Sequence, residues 1–227
     1  MKKRCAMSTT PELIDALVRR MTPVRPLRPP IARAGVWLAL AGLILWLLAA
    51  VHGPRADLSE RLQQPDFLAG LAAALSTGAL AALAAFMLGL PDRSDRWALL
   101  PVPPLAAWIS TIGHGCLVDW VSLGPEGLQW GETARCFAIV LSTSVPLGLV
   151  LLIMLRHAAF LRARAVAITG GLAVAALSAA AVTLLHPVEA TVLILIWNGG
   201  VVALMAGLAT ALGQKMLQWA AARFLPP

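Results

Sequence analysis

Tyrosine is absent and charge is scarce. Only 13% of the 227 residues are Asp, Glu, Lys or Arg, where a soluble domain carries about 25%. The hydrophobic share is 59%, too high for a core shielded by a polar surface. Lipid is the solvent this composition fits, and a mean hydropathy of +0.79 agrees. Cysteine is also rare: Cys5, Cys116 and Cys136 are too few for a disulfide framework. No cleavable signal peptide is expected, because the first long apolar run starts only near Gly35. That run reads as a spanning helix and its own insertion signal. There is no nucleophile motif, P-loop or HExxH, so neither an enzyme nor a cofactor is expected.

What remains is a series of long apolar stretches. A spanning helix needs roughly 20 mostly apolar residues. Six stretches qualify: Ala34 to Val51, Phe67 to Leu90, Trp97 to Gly113, Ala134 to Leu155, Ala165 to Leu185 and Ala190 to Leu212. They are rich in Ala and Leu and lack the alternation of barrel strands. The expected fold is all-α, a polytopic membrane bundle of six transmembrane helices. Residues 1–33 form an N-terminal arm, 34–212 the membrane domain and 213–227 a C-terminal tail. The third stretch is the weakest, with Pro101, Pro103 and Pro104 in its first half. The eight Trp are expected to serve as interfacial anchors.

Lys and Arg in the loops set orientation. One side collects 15 of them, from the arm, Arg93 and Arg96, Arg156 to Arg164, and the tail; the other has Arg55, Arg61 and Arg135. The first side is therefore expected to be cytoplasmic, with both chain ends inside. The net charge of +7 is then mostly the topology signal, and no direct nucleic-acid partner is expected.

The arm holds a short amphipathic pattern. Thr9 or Thr10 can cap a helix with Pro11 in its first turn. Leu13, Ile14, Leu17, Val18 and Met21 fall on one face, and Glu12, Asp15, Arg19 and Arg20 on the other. A helix this short is marginal in water and needs a surface. Two surfaces fit: lipid headgroups, attracted by the arginines, or a protein partner gripped by the apolar face. The proline-rich stretch Pro23 to Pro30 is expected to be extended and stiff. Met7 offers an alternative start, in which case residues 1–6 are a start-site artefact and Cys5 carries no weight; intact mass decides this.

Inside the membrane, no Asp, Glu, Lys or Arg falls mid-span. This weighs against a transporter, where intramembrane charge is the usual mark. Ser142, Thr143 and Ser144 beside Pro146 fit backbone satisfaction around a kink better than a polar path. Gly70, Ala74, Gly78 and Ala82 put small residues on one stripe, as do Gly199, Ala203, Gly207 and Ala211. Such stripes favour close packing within the bundle over dimerisation; the oligomeric state is left open. Outside, His114, Cys116, Cys136 and His186 gather near helix ends. Imidazole and thiolate suit soft metals and redox chemistry, but no tight ligand spacing is present and metal binding stays unassigned.

Several segments together resemble a known family. They are Leu13-Ile14-Asp15-Ala16-Leu17, the run Pro23 to Pro30, Arg135-Cys136-Phe137, Ser144-Val145-Pro146-Leu147, Leu155-Arg156-His157-Ala158-Ala159, Leu185-His186-Pro187, Ile196-Trp197 and Lys215 to Trp219. Their order and spacing are similar to the NrsF (negative regulator of sigma F) family. The resemblance implies a six-span protein of the bacterial inner membrane. It implies that the chain holds an extracytoplasmic-function sigma factor inactive and releases it under oxidative or metal stress. The arm face Leu13, Ile14, Leu17, Val18 and Met21 then becomes the expected sigma-factor contact, and Cys136, Cys116, His114 and His186 the expected stress-sensing residues. Members usually carry a second cysteine after the histidine matching His186; here Pro187 follows instead. A two-cysteine mechanism is in doubt for that reason, and Cys116 is the remaining outer thiol. The alternatives are a small multi-span transporter and a structural membrane subunit.

Overall fold

Prolines and glycines cut the apolar sequence into helices at defined points. A computed structural model describes residues 10–20, 28–123, 130–155, 162–185 and 200; at 13, 16, 17, 20, 113–123 and 130–137 it describes the backbone alone. In chain order the helices are α1 (Thr10–Arg20), α2 (Pro30–His52), α3 (Leu58–Arg61), α4 (Pro65–Leu88), α5 (Val102–Leu123), α6 (Trp130–Leu155) and α7 (Ala163–Leu185), with a 3-10 turn at Asp95–Leu99. The predicted sixth span, 190–212, lies outside the described residues except for Gly200. So does the tail.

Proline sets several starts. Pro30 and Pro65 open α2 and α4 at positions where a helix N–H has no partner anyway. Gly53 ends α2 with a positive φ of 75°, and its N–H bonds the Ala49 carbonyl at 3.0 Å. The same logic resolves the third predicted span. The expected start at Trp97 is wrong: Trp97 belongs to the 3-10 turn, and α5 begins at Val102. The Leu105 N–H bonds the Pro101 carbonyl at 3.0 Å. Pro103 and Pro104 therefore occupy the first turn, where no N–H is needed. They begin the helix rather than break it.

Among the described residues, four helices are long and apolar enough to cross a membrane: α2, α4, residues 138–155 of α6, and α7. The described helices pack up and down. Arg33 at the start of α2 meets Phe86 near the end of α4 and Met154 near the end of α6. Gly78 faces Leu177, and Gly170 faces Ala85, so α4 and α7 run antiparallel. The core is built on that pair. Ala81, Ala82, Ala85 and Phe86 of α4 are buried with Ala173, Val174 and Leu177 of α7, and Trp37, Leu147 and Leu151 close around them.

The expected small-residue stripe of α4 is spent inside the bundle. A Cβ on Gly78 would stand 2.9 Å from Leu177 Cγ, and one on Gly170 would stand 2.9 Å from Leu151 Cδ2. A larger residue at Gly78 would have to displace Leu177, and one at Gly170 the terminal methyl of Leu151; in lipid such close packing replaces the missing hydrophobic drive. The partner stripe 199–211 lies outside the described residues.

The periphery shows the opposite pattern. On α2, Val36, Leu40, Leu43, Trp46, Leu47 and Val51 are exposed, while Arg33, Ala34, Trp37 and Ala41 are buried. A continuous apolar stripe on an outer helix suits acyl chains. Trp37 corrects one expectation. It is 0% exposed and so is a core residue, not an interfacial anchor.

Candidate partner face and the two ends of the bundle

The arm helix forms where the pattern predicts it, over Thr10–Arg20. Ile14 and Val18, one turn apart, are 54% and 59% exposed. Glu12, Asp15 and Arg19 are exposed as well. Both apolar residues thus face away from the bundle core, available to a partner or a headgroup layer. The side chains of Leu13 and Leu17, and all of Met21, lie outside the described residues.

At the basic end of the bundle, Arg33 is 8% exposed. Its Nη2 donates to the Met154 carbonyl in the last turn of α6. Its guanidinium carbon lies 5.0 Å from the centroid of the Phe86 ring. A cation at a helix C-terminus meets carbonyls that no N–H satisfies, which explains the choice of acceptor. One turn further along α2, Trp37 Nε1 donates to the Leu147 carbonyl at 3.2 Å. Two loops at this end are also tied. Arg162 Nε lies 2.9 Å from Asp95 Oδ1, and Arg162 Nη1 donates to the Arg93 carbonyl. The segment before α7 is thereby fixed to the connection between α4 and α5.

The other end repeats the device. Arg55 is 6% exposed and pairs bidentately with Asp57, Nε to Oδ1 at 2.7 Å and Nη2 to Oδ2 at 2.9 Å. Its Nη1 donates to the Thr183 carbonyl at 3.4 Å, and its backbone N–H donates to the Leu184 carbonyl at 3.2 Å. Phe67 lies under it at 5.8 Å. Hydrogen bonding to Arg55 holds the Asp57 carboxyl well below the usual carboxylate range, at about 2. The loop after α2 is thus clamped to the C-terminus of α7.

The polar run of α6 is turned on itself. Ser142 Oγ donates to the Ile139 carbonyl at 3.0 Å, Thr143 Oγ1 to the same carbonyl, and Ser144 Oγ to the Val140 carbonyl. These bonds add to the backbone satisfaction just ahead of Pro146. Thr77, Thr169 and Thr183 bond back onto their own helices in the same way.

The expected sensing residues are placed only by their helices. His114 and Cys116 fall in α5 and Cys136 in α6, with their side chains outside the described residues; His186 lies wholly outside them. His52, at the far end of α2, bonds the Leu48 carbonyl of its own helix at 3.2 Å. Among the described residues no three His, Cys, Asp or Glu side chains converge to hold a metal.

Charge counting missed Arg33, Trp37 and Arg55. It used each arginine as a marker of sidedness only. Within α2 the sequence offers one hint, that Arg33, Ala34, Trp37 and Ala41 share a face roughly 100° round the helix from the stripe Val36, Leu40, Leu43 and Leu47; which helices meet that face it does not say.

No curated protein and no solved structure matches the chain. One family does, over residues 17–219, a match that runs from the arm helix through every described span. The chain belongs to the NrsF family, the negative regulators of sigma F.

Proposed function

We propose that this chain is a membrane-embedded anti-sigma factor with six spans and both ends in the cytoplasm. It holds an extracytoplasmic-function sigma factor at the bacterial inner membrane and releases it under oxidative or metal stress. Family membership supports the regulatory role. The observation that carries the binding face is α1, with Ile14 and Val18 exposed side by side. An amphipathic helix presenting such a pair is a common way to fill a groove on a partner. The family resemblance favours Cys136 as the stress-responsive thiol.

The test is co-purification of the full chain from its own host, with the bound protein identified by mass spectrometry. A sigma factor is expected. Replacing Ile14 and Val18 together by Asp removes two apolar anchors, and affinity should fall by at least about tenfold. Membrane insertion should be unchanged. Normal capture by the double variant would remove α1 from the interface. Cys136→Ser should blunt release under oxidant or metal; an ordinary response would leave Cys136 as a packing residue.

A further inference from the structure

Arg33 is held by opposing forces. It is 8% exposed, within the first turn of a spanning helix. The Met154 carbonyl and the Phe86 ring favour the cation there. Against them, Nη1 is buried with no hydrogen-bond partner among the described residues. A buried charged donor left unpaired is costly. The long side chain starts near the end of the membrane layer and has a second place to go, outward to water and headgroups. A side chain with a seated position and an outward one available to it is the kind of two-state element that coupling between sites requires.

We infer that Arg33 is a latch between α6 and the arm. Seated on Met154, it ties the root of the arm to the end of α6; withdrawn, it lets that root turn. α6 carries Cys136 toward its other end. Between Arg20 and Arg33 stand Pro23, Pro26, Pro29 and Pro30, each fixing its own φ. By composition such a linker is semi-rigid, so a turn at the start of α2 changes the range of positions open to the arm. Trp37, bonded to Leu147 one turn deeper, keeps α2 on α6 in both positions, so Arg33 moves without the bundle opening. The seated state holds the arm ready and binds the partner more tightly. By linkage, the partner in turn seats the arginine. This deepens the anti-sigma function and rests on it.

The experiment uses the full chain in nanodiscs, treated with phenylglyoxal, an arginine-selective reagent, and read by mass spectrometry. Arg33 should label more slowly than the exposed Arg28. Adding the co-purifying sigma factor should slow Arg33 by a further factor of about five. Arg33→Met should weaken sigma-factor binding by about the same factor, with thermal unfolding close to wild type. Phe86→Leu keeps the arginine and loosens its seat, and should shift labelling and affinity the same way by less. Labelling of Arg33 as fast as Arg28 overturns the seated arginine whether or not any partner binds. A sigma factor that binds yet leaves Arg33 labelling unchanged, or binds Arg33→Met like wild type, overturns the latch alone. A wild-type chain that binds no sigma factor overturns the functional reading beneath it.

Discussion

Trp37 lends its indole N–H to the Leu147 carbonyl at 3.2 Å, joining helices whose residues stand 110 apart in the chain. The acceptor lies one residue past Pro146, inside α6. A ring this large, fully buried and hydrogen-bonded, fixes both the spacing and the rotation of α2 against α6. Trp37→Phe should cost about 1–2 kcal/mol, combining a lost interhelical bond with a small void. Denaturant unfolding in mixed micelles measures it. Wild-type stability in the variant would mean the bond contributes nothing.

The close approach of α4 and α7 predicts an asymmetry among glycines. Gly42 has open space around a built Cβ, whereas at Gly78 that atom meets Leu177 at 2.9 Å. Gly42→Ala should be neutral or slightly stabilising, since Ala is the better helix former. Gly78→Ala should destabilise by about 1–3 kcal/mol through overpacking. Gly170→Ala should fall between, because the atom it meets is the terminal Cδ2 of Leu151. Comparing the thermal midpoints of the three variants decides the order.

The Asp57 clamp has a defined acid limit. Its carboxyl is lowered from 3.8 to about 2, chiefly by hydrogen bonding to Arg55. A lowered carboxyl contributes fully above its ordinary range and loses that contribution as pH falls through the folded value. The loop should therefore stay clamped at pH 4 and loosen toward pH 2. A carboxyl carbon NMR titration should place Asp57 near 2 in the wild type. In Arg55→Gln it should return toward the ordinary value. A wild-type midpoint near 4 would remove the clamp from the pH response.

Sidedness can be tested at two loops. Alkaline phosphatase fused after Gln63 should be active, and the same enzyme fused after Arg93 inactive, because Arg93 and Arg162 mark the basic end. Fusions with a fluorescent protein that matures only in the cytoplasm should give the reverse. Activity at both loops, or at neither, would contradict a crossing by α4.

Much of the helix map was legible because lipid imposes one demand, a long apolar run with its backbone bonded internally. The small-residue stripe of α4 and the amphipathic arm were legible for the same reason, since each is a pattern within a single helix. The proline-bearing span starts at Val102 rather than Trp97 because hydropathy marks the apolar run but not the helix start, which Pro103 and Pro104 set where no N–H is required. The burial of Arg33, Trp37 and Arg55 was not read. It depends on which helices meet, and hydropathy carries no such pairing. Nor does composition single out α7, whose apolar character resembles that of its neighbours but which is the most buried of the four described spans, at 78% against 61% for α4.

That central position of α7 bears on how the protein is made. The chain leaves the ribosome from its N-terminus, so α2, α4 and α6 enter the bilayer before the helix they are shaped to surround. Until α7 arrives, Gly78, Ala81 and Ala85 face lipid across a surface cut for another backbone. Assembly is therefore completed late rather than helix by helix. A premature stop before residue 163 would remove the centre of the bundle, not trim its edge, and would leave the quality-control proteases of the membrane a set of grooved, half-paired helices.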